Sequence, residues 1–135
     1  MHFQFSIYTN KSLNGISKKD LNLLKHKTKL RQKMHNNNWF KKYSKNAFYI
    51  THIAVKKEAK GTGVFRRLIT KVIDECEADN LDIVLETYTK ENVAIYEHFG
   101  FELVETHSCD EIPYVEYCLL KRNNINFTLN KWDNR

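Results

Sequence analysis

The sequence predicts an α/β domain with a mixed central sheet, and three observations support this prediction. The runs YITHIAV at residues 49–55 and LDIVLET at residues 81–87 are rich in apolar, β-branched and aromatic residues, which is typical of buried strands. Between them, apolar residues recur at helical spacing over residues 64–76. A strand, a helix and a strand in this order predict two parallel neighbouring strands joined by a right-handed crossover.

The first 47 residues are predicted to hold one short strand, one helix and an aromatic cluster. Residues 1–9 alternate in a way that indicates a strand. Ser17 is a predicted N-cap, and a weakly amphipathic helix follows it to about Met34. We interpret His26 and His35 as solvated residues without partners. Phe3, Phe5 and Ile7 belong to the predicted strand, and Trp39, Phe40 and Tyr43 form the aromatic cluster.

After the central unit, the sequence predicts a short helix, two strands and a tail. The helix covers residues 93–99, and Gly100 closes it because glycine readily adopts a left-handed conformation. Strands are predicted at residues 101–106 and 114–120, and residues 122–135 are predicted to be a loose tail. On the helix of the central unit, the residues expected to be buried are Val64, Phe65, Leu68, Ile69, Val72, Ile73 and Cys76.

Size and composition limit the class of protein. At 135 residues, with 41% hydrophobic and 28% charged residues, the chain is expected to form one folded domain. No apolar run reaches the length of a membrane span, and the first residues lack the pattern of a signal peptide. Cys76, Cys109 and Cys118 have no metal-ligand spacing and suit free thiols in a reducing compartment. We therefore predict a cytoplasmic protein that binds neither a metal nor a membrane.

Charge is distributed unevenly along the chain. Residues 1–57 hold thirteen Lys and Arg and one acid, a net charge of +12, whereas residues 58–135 hold nine Lys and Arg and fifteen acids, a net charge of −6. A basic region can attract nucleic acid or an anionic cofactor, and scattered lysines on a solvated helix face are the simpler explanation. Because no DNA-binding motif accompanies the charge, nucleic acid is the less favoured partner.

The turn between the first central strand and its helix has the features of an anion site. In the stretch KGTGVFRR, Gly61 and Gly63 permit a sharp turn, and the first N–H groups of the following helix lack partners within the helix. Arg66 and Arg67 oppose the helix dipole unless they face an external anion. Phosphate is the commonest ligand of such a site. An ordinary strand–turn–helix connection is the alternative interpretation.

Three features of the sequence resemble the GNAT N-acetyltransferase superfamily. YITHIAV with KGTGVF is similar to the strand and pyrophosphate loop of that family. LETYTKENVAIYEHFGF is similar to its strand, Asn, Tyr-bearing helix and closing Gly-Phe, and looks most like the puromycin N-acetyltransferase-like branch. The order of strands and helices is the third similarity. The resemblance covers residues 48–121 and implies a mixed central sheet of the acyl-CoA N-acyltransferase type, in which the two parallel strands separate at their ends.

The resemblance implies direct transfer of an acetyl group from acetyl-CoA to a primary amine on a small molecule or a peptide. The backbone at Ile53, Ala54 and Val55 is then expected to pair with the amide arm of the cofactor and to polarise the thioester carbonyl. Asn92 is expected to cap its helix, to bind the pantetheine arm, or both. The residues implied to bind the pyrophosphate are Lys60, Gly61, Thr62, Gly63, Val64, Phe65 and Arg66.

Tyr96 matches the family's helix tyrosine, which implies that it donates a proton to the departing thiolate. A tyrosine packed in the core is the alternative. No general base stands out in the sequence. Thr51 cannot take a proton at neutral pH, and alternation along the strand predicts that His52 points away. Glu86 acting through a water molecule remains, and an amine that binds in its neutral form needs no base.

We expect residues 1–47 to be a shortened N-terminal part of the same domain, ahead of a cofactor-binding core at 48–121 and the tail at 122–135. The family places more strands and helices before this point, and Lys60 and Phe65 also depart from its pattern, so Phe65 has to turn into the core. A CoA-binding module without catalysis and a nucleic-acid-binding protein are the alternative functions. We also expect the aromatic residues of the first part to form a homodimer or partner interface that completes the acceptor pocket.

Overall fold

A computed structural model describes residues 15–123, which form one four-stranded mixed sheet with three α-helices. The predicted strand at residues 1–9 and residues 124–135 lie outside this range. In chain order the elements are α1 (Lys18–Met34), β1 (Ala47–Ile50), α2 (Val64–Ala78), β2 (Asp82–Thr87), α3 (Lys90–His98), β3 (Glu102–Cys109) and β4 (Ile112–Lys121). Short 3-10 helices lie at Trp39–Lys42 and Lys57–Ala59. None of the helices in the described range is long and apolar enough to span a membrane.

The sheet described here has the strand order β1-β2-β4-β3. Its central pair, β2 and β4, is antiparallel, and the parallel pair of β1 and β2 lies at one edge rather than at the centre. The predicted parallel pairing of β1 with β2 is confirmed, with Ala47 opposite Asp82 and Ile50 opposite Leu85. The strand predicted at residues 49–55 is wrong at its end, because β1 stops at Ile50 while β2 continues to Thr87. The two strands therefore separate beyond Ile50, as the resemblance implied, and a gap opens between residues 51–55 and the end of β2.

Helices α2 and α3 cover one face of the sheet. Ile69 and Cys76 of α2 pack with Val93 and Tyr96 of α3 over apolar residues of the strands, including Leu85. The helical spacing predicted this face, but Leu68 is 40% exposed, so its predicted burial is wrong. The remaining apolar residues predicted on this helix are partly buried, and Phe65 packs against the core as the sequence required.

Trp39 covers the other face of the sheet. It is 1% exposed and packs with Val84, Cys118 and Leu120, with Phe40 and Tyr43 partly buried beside it. The expectation that these three aromatic residues form an exposed interface is therefore wrong, because they complete the core of their own chain. The predicted homodimer stays a prediction, and Phe3, Phe5 and Ile7, its other contributors, lie outside the described residues.

Caps fix the ends of the helices as the sequence predicted in two cases of three. The Ser17 hydroxyl accepts a hydrogen bond from the Asp20 N–H at 3.1 Å, and Gly100 closes α3 at φ +84°. The N-cap of α3 is Thr89, whose hydroxyl accepts from the Asn92 N–H at 3.3 Å, so the proposed capping role of Asn92 is wrong. The start of the predicted loose tail is also wrong, since Asn123 is 3% exposed and its N–H donates to Asp82 at 2.8 Å.

Candidate active site

The gap between β1 and β2 opens into three neighbouring cavities that share lining residues. A cavity of about 180 Å³, here called the gap cavity, lies where the strands separate and is lined by Ile50, Leu85 and Tyr96 among others. Towards α2 it adjoins a cavity of about 290 Å³, the loop cavity, which reaches Lys60. In the opposite direction it adjoins a cavity of about 630 Å³, the tyrosine-lined cavity, whose walls include Tyr88.

The N-terminus of α2 lies at the far end of the loop cavity. Its N-cap is Gly63, at φ +77° and without a side chain to cap the helix, so the first N–H groups of α2 remain available to an external acceptor. Gly61, at φ +76°, has open space where a Cβ would lie. Arg67 donates a hydrogen bond to the Thr62 carbonyl at 3.2 Å, which holds a cation beside the turn. These features fit an anionic group, and the pyrophosphate loop at this turn stays a prediction.

The residues predicted to bind the amide arm lie in the same region. Ile53 and Val55 line the loop cavity, and Ile53 also lines the gap cavity. Residues 51–55, which include Ala54, belong to no strand, so their backbone groups are not engaged in the sheet. Phe65 lines the loop cavity, where its ring lies 6.0 Å from that of Tyr96.

Tyr96 projects from α3 into both the gap and the loop cavities. It is 7% exposed, and its ring packs against Phe101 at 5.5 Å. The hydroxyl has no hydrogen-bond partner between residues 15 and 123, and since every fully buried side-chain oxygen there has one, this hydroxyl is open to solvent. Burial raises the pKa of the phenol, which keeps it protonated at neutral pH. The two interpretations of Tyr96 are therefore compatible, because its ring belongs to the core and its hydroxyl is accessible.

Asn92 stands beside Tyr96 on the same helix and lines the same two cavities. Its side-chain amide donates a hydrogen bond to the Thr87 hydroxyl at 3.0 Å. This bond fixes the first turn of α3 against the end of β2, where the strands separate. Asn92 is thus held at the cavity, and Thr89 is the residue that caps α3.

Glu86 lies on β2 and lines both the gap cavity and the tyrosine-lined cavity. One of its oxygens accepts a hydrogen bond from the indole N–H of Trp39 and the other accepts one from the Tyr49 hydroxyl. Burial and the bond to Glu86 raise the pKa of Tyr49, so its hydroxyl remains a donor. The arrangement holds a carboxylate at the wall that the two cavities share.

Aromatic rings form much of the wall of the tyrosine-lined cavity. Tyr88 and Tyr114 meet edge to face at 5.2 Å, and Arg31 of α1 donates to the Tyr88 hydroxyl at 3.1 Å. Thr51 and His52 also line this cavity. The prediction that His52 points away is wrong, because β1 ends at Ile50 and the alternation of a strand does not extend to residue 52.

A buried network behind this cavity escaped the sequence analysis. His35, predicted to be solvated without a partner, forms bonds of 2.8 and 2.9 Å from its Nδ1 to the carboxylate of Glu116. Glu116 is 0% exposed and also accepts bonds from His107 at 3.0 Å and from Tyr88 at 3.2 Å. The signal was present in β4, where alternation places Glu116 on one face with Cys118 and Leu120. A carboxylate on a face with apolar neighbours requires buried donors.

Burial opposes the charge of Glu116, but its hydrogen bonds prevail. Burial alone would raise the pKa of this carboxyl, whereas the bonds from His107, His35 and Tyr88 lower it below its ordinary value. The pKa of His107 is raised in turn, because its bonds to Glu116 and Glu105 outweigh the effect of burial. The network is therefore ionic at mildly acidic pH, with Glu116 as its central carboxylate.

His107, Glu116 and Cys118 also place ligand-type atoms within 4.8 Å of one another. The oxygens of Glu116 already accept three hydrogen bonds from side chains. Burial and nearby carboxylates raise the pKa of Cys118, which keeps the sulfur as a thiol and therefore a poor ligand. We interpret this group as part of the hydrogen-bond network rather than as a metal site.

Comparison with known proteins identifies the family of this chain. A family model described as "Acetyltransferase (GNAT) domain" matches residues 29–119. A stretch of 56 residues, 42% of this chain, is 36% identical to an uncharacterized N-acetyltransferase of Schizosaccharomyces pombe, and the match covers 23% of that protein. Since the family model spans most of the chain, including the glycine turn, the gap and α3, the protein belongs to the GNAT acetyltransferase domain family.

Proposed function

We propose that this domain transfers the acetyl group of acetyl-CoA directly to a primary amine. The observation that carries the proposal is the row of adjoining cavities, which runs from the N-terminus of α2, past Tyr96, to the carboxylate of Glu86. An anion site, an accessible phenol and an anionic wall follow one another in the order that a long anionic thioester and an amine require.

Residues at the α2 end supply the binding groups for the cofactor. The backbone from Lys60 to Arg66 would hold the pyrophosphate through free N–H groups, with Arg67 adding positive charge. The backbone of residues 53–55, which pairs with no strand, would accept hydrogen bonds from the amide arm and donate hydrogen bonds to it. Asn92, fixed by Thr87, stands where that arm would enter the gap. Acetyl-CoA supplies an activated acetyl group, and these residues would orient it.

The gap is the place where the acetyl group would react. Backbone N–H groups that no longer pair in the sheet can polarise a carbonyl oxygen, which stabilises the negative charge that develops on it. Tyr96 would protonate the leaving thiolate, since its phenol is protonated, accessible and close to the gap. The tyrosine-lined cavity is on the other side of the gap and would admit the amine, with Glu86 attracting its ammonium form.

Calorimetric titration with acetyl-CoA and then with CoA tests the first step. Turnover is then followed by thiol release with a panel of 2-phenylethylamine, 1,4-diaminobutane and glycinamide. Binding accompanied by acetylation of at least one amine supports the proposal. Binding without turnover of any amine favours a CoA-binding module without catalysis. If acetyl-CoA does not bind at millimolar concentration, the proposed function is wrong.

A further inference from the structure

The tyrosine-lined cavity contains a histidine that is bonded to a buried carboxylate. His35, just past the end of α1, lines this cavity together with Glu86 and Thr51. Its side chain is 10% exposed, and Nδ1 faces the buried carboxylate of Glu116. An imidazole with a carboxylate behind it and a cavity in front of it has the arrangement of a general base.

The geometry leaves one nitrogen of His35 free to react. Nδ1 is occupied by Glu116 at 2.8 Å, and Nε2 has no hydrogen-bond partner in the described range. Because no fully buried side-chain nitrogen there lacks a partner, Nε2 is accessible to solvent. A carboxylate that accepts from Nδ1–H fixes the tautomer in which the lone pair lies on Nε2. His35 can therefore accept a proton from the cavity side.

We propose that His35 is the general base of the transfer reaction and that Glu116 positions it, an inference that rests on the proposed acetyl transfer. An amine that arrives in its ammonium form first releases one proton to solvent. The neutral amine nitrogen then forms a bond to the acetyl carbonyl carbon, and the carbon–sulfur bond breaks with its electron pair leaving on sulfur. The proton of the attacking nitrogen goes to Nε2 of His35, and the thiolate takes the proton of Tyr96. Exchange with solvent returns both side chains to their starting states, so the products are the acetamide and CoA thiol.

Glu116 is built to stabilise the imidazolium that this step creates. It is inaccessible to solvent, and its negative charge lies against the ring that gains the proton. Low local dielectric strengthens that attraction relative to water. Titratable and charged groups from six parts of the fold face this pair: Arg31 of α1, Tyr49 of β1, Glu86 of β2, Tyr88 after β2, His107 of β3 and Cys118 of β4.

Two other residues compete for the role of base. Glu86 has both oxygens engaged by Trp39 and Tyr49, so it is a poorer proton acceptor and a better anchor for charge. His52 lines the same cavity, but it is exposed and no carboxylate bonds its ring among the residues described. Neither has the buried carboxylate partner that distinguishes His35.

The test compares His35→Ala, Glu116→Gln and His52→Ala in the full chain, with acetyl-CoA and the most rapidly acetylated amine of the panel. We expect His35→Ala to lower kcat by about 100-fold or more, in line with general acid–base catalysis, and to leave acetyl-CoA affinity unchanged. Added imidazole should restore part of the rate. The acid limb of the pH profile of kcat should be lost in this variant. His52→Ala should change KM by a few-fold and keep that limb.

Glu116→Gln tests the positioning role, and nitrogen NMR of the histidine rings keeps the test decisive if this variant unfolds. We expect Glu116→Gln to lower kcat by up to about 100-fold with little change in KM, because a base without its positioning partner loses part of the general-base contribution. In the unaltered protein, neutral His35 should carry its proton on Nδ1. A proton on Nε2 in the neutral ring, or full activity of His35→Ala, overturns the assignment of the base while the proposed function stands. Failure of the unaltered protein to acetylate any amine overturns the proposed transfer and the base with it.

Discussion

The indole N–H of Trp39 donates a hydrogen bond to the carboxylate of Glu86, which joins the 3-10 helix before β1 to the wall shared by two cavities. Tyr49 bonds the other oxygen, so the carboxylate is held in one orientation from both sides. A carboxylate fixed in this way attracts a cation without rearranging. The covering of the sheet by Trp39 and the proposed binding of an amine are therefore linked through one side chain.

Glu86→Gln tests this anchoring role. The substitution keeps the shape of the side chain and removes its charge, so we expect the KM for the amine to rise about tenfold, equivalent to about 1.4 kcal/mol, with kcat changed less. Steady-state kinetics with acetyl-CoA at saturation measures both constants. Glu91→Gln, on the exposed first turn of α3, is the matched control. A fall in kcat of more than 100-fold at constant KM would instead make Glu86 the base.

Gly63→Asp tests the anion site at the start of α2. A Cβ at this position would contact the Arg67 guanidinium at 3.3 Å, and the new carboxylate would pair with that cation and repel a pyrophosphate. We expect calorimetry to detect no binding of acetyl-CoA to this variant. Gly63→Ala carries the same strain at φ +77°, about 1–2 kcal/mol, without the charge. It should bind within about tenfold of the unaltered protein, and equal affinity of the Asp variant would rule this site out.

Tyr96→Phe tests the proposed proton donor. The ring contacts to Phe65 and Phe101 remain, and the hydroxyl has no hydrogen bond to lose within the described structure, so stability should change little. We expect kcat to fall by about 100-fold, with acetyl-CoA affinity retained. Tyr117→Phe is the control, since Tyr117 packs against the same core cluster and lines none of the three cavities. An unchanged kcat in Tyr96→Phe would reduce this tyrosine to a packing role.

Local patterns predicted the elements that depend on local physics. Ser17 caps α1 because its hydroxyl reaches an N–H three residues away, and Gly100 closes α3 because its φ is positive. The parallel pair of β1 and β2 followed from two apolar runs with a helix between them. The glycine turn at the start of α2 followed from Gly61 and Gly63 ahead of a helical pattern, and the place of Tyr96 beside the gap followed from the resemblance to a family.

Contacts between distant parts of the chain could not be predicted in this way. His35 and Glu116 are 81 residues apart in sequence, and only the packing of α1 against the sheet brings them together. β1 ends at Ile50, where its pairing with β2 stops. His52 lies beyond that point and therefore faces a cavity. Trp39 was predicted to be an exposed aromatic residue. The face that it covers, which contains Val84 and Cys118, is formed by strands much later in the chain.

The ion network around Glu116 predicts how stability depends on pH. His107 has a raised pKa in the folded protein, so its contribution is complete below the unfolded value of about 6.5 and is lost as pH rises through the folded value. Glu116 has a lowered pKa, so its contribution is present above the unfolded value of about 4.3 and is lost as pH falls through the folded value. The network therefore stabilises the fold most between about pH 4.5 and 6.5.

His107→Gln, compared with the unaltered protein by urea unfolding across this range, measures the effect. We expect the variant to lose on the order of 1–3 kcal/mol in the free energy of unfolding near about pH 5.5, the value of a hydrogen bond to a charged group. The loss should shrink as pH rises through the raised pKa of folded His107, because the imidazolium of the unaltered protein then loses its proton. His26→Gln, on the exposed face of α1 and without a hydrogen bond in the described structure, should show no such dependence. A loss in His107→Gln that stays constant or grows with pH would mean that the ion pairs of His107 with Glu105 and Glu116 do not stabilise the fold.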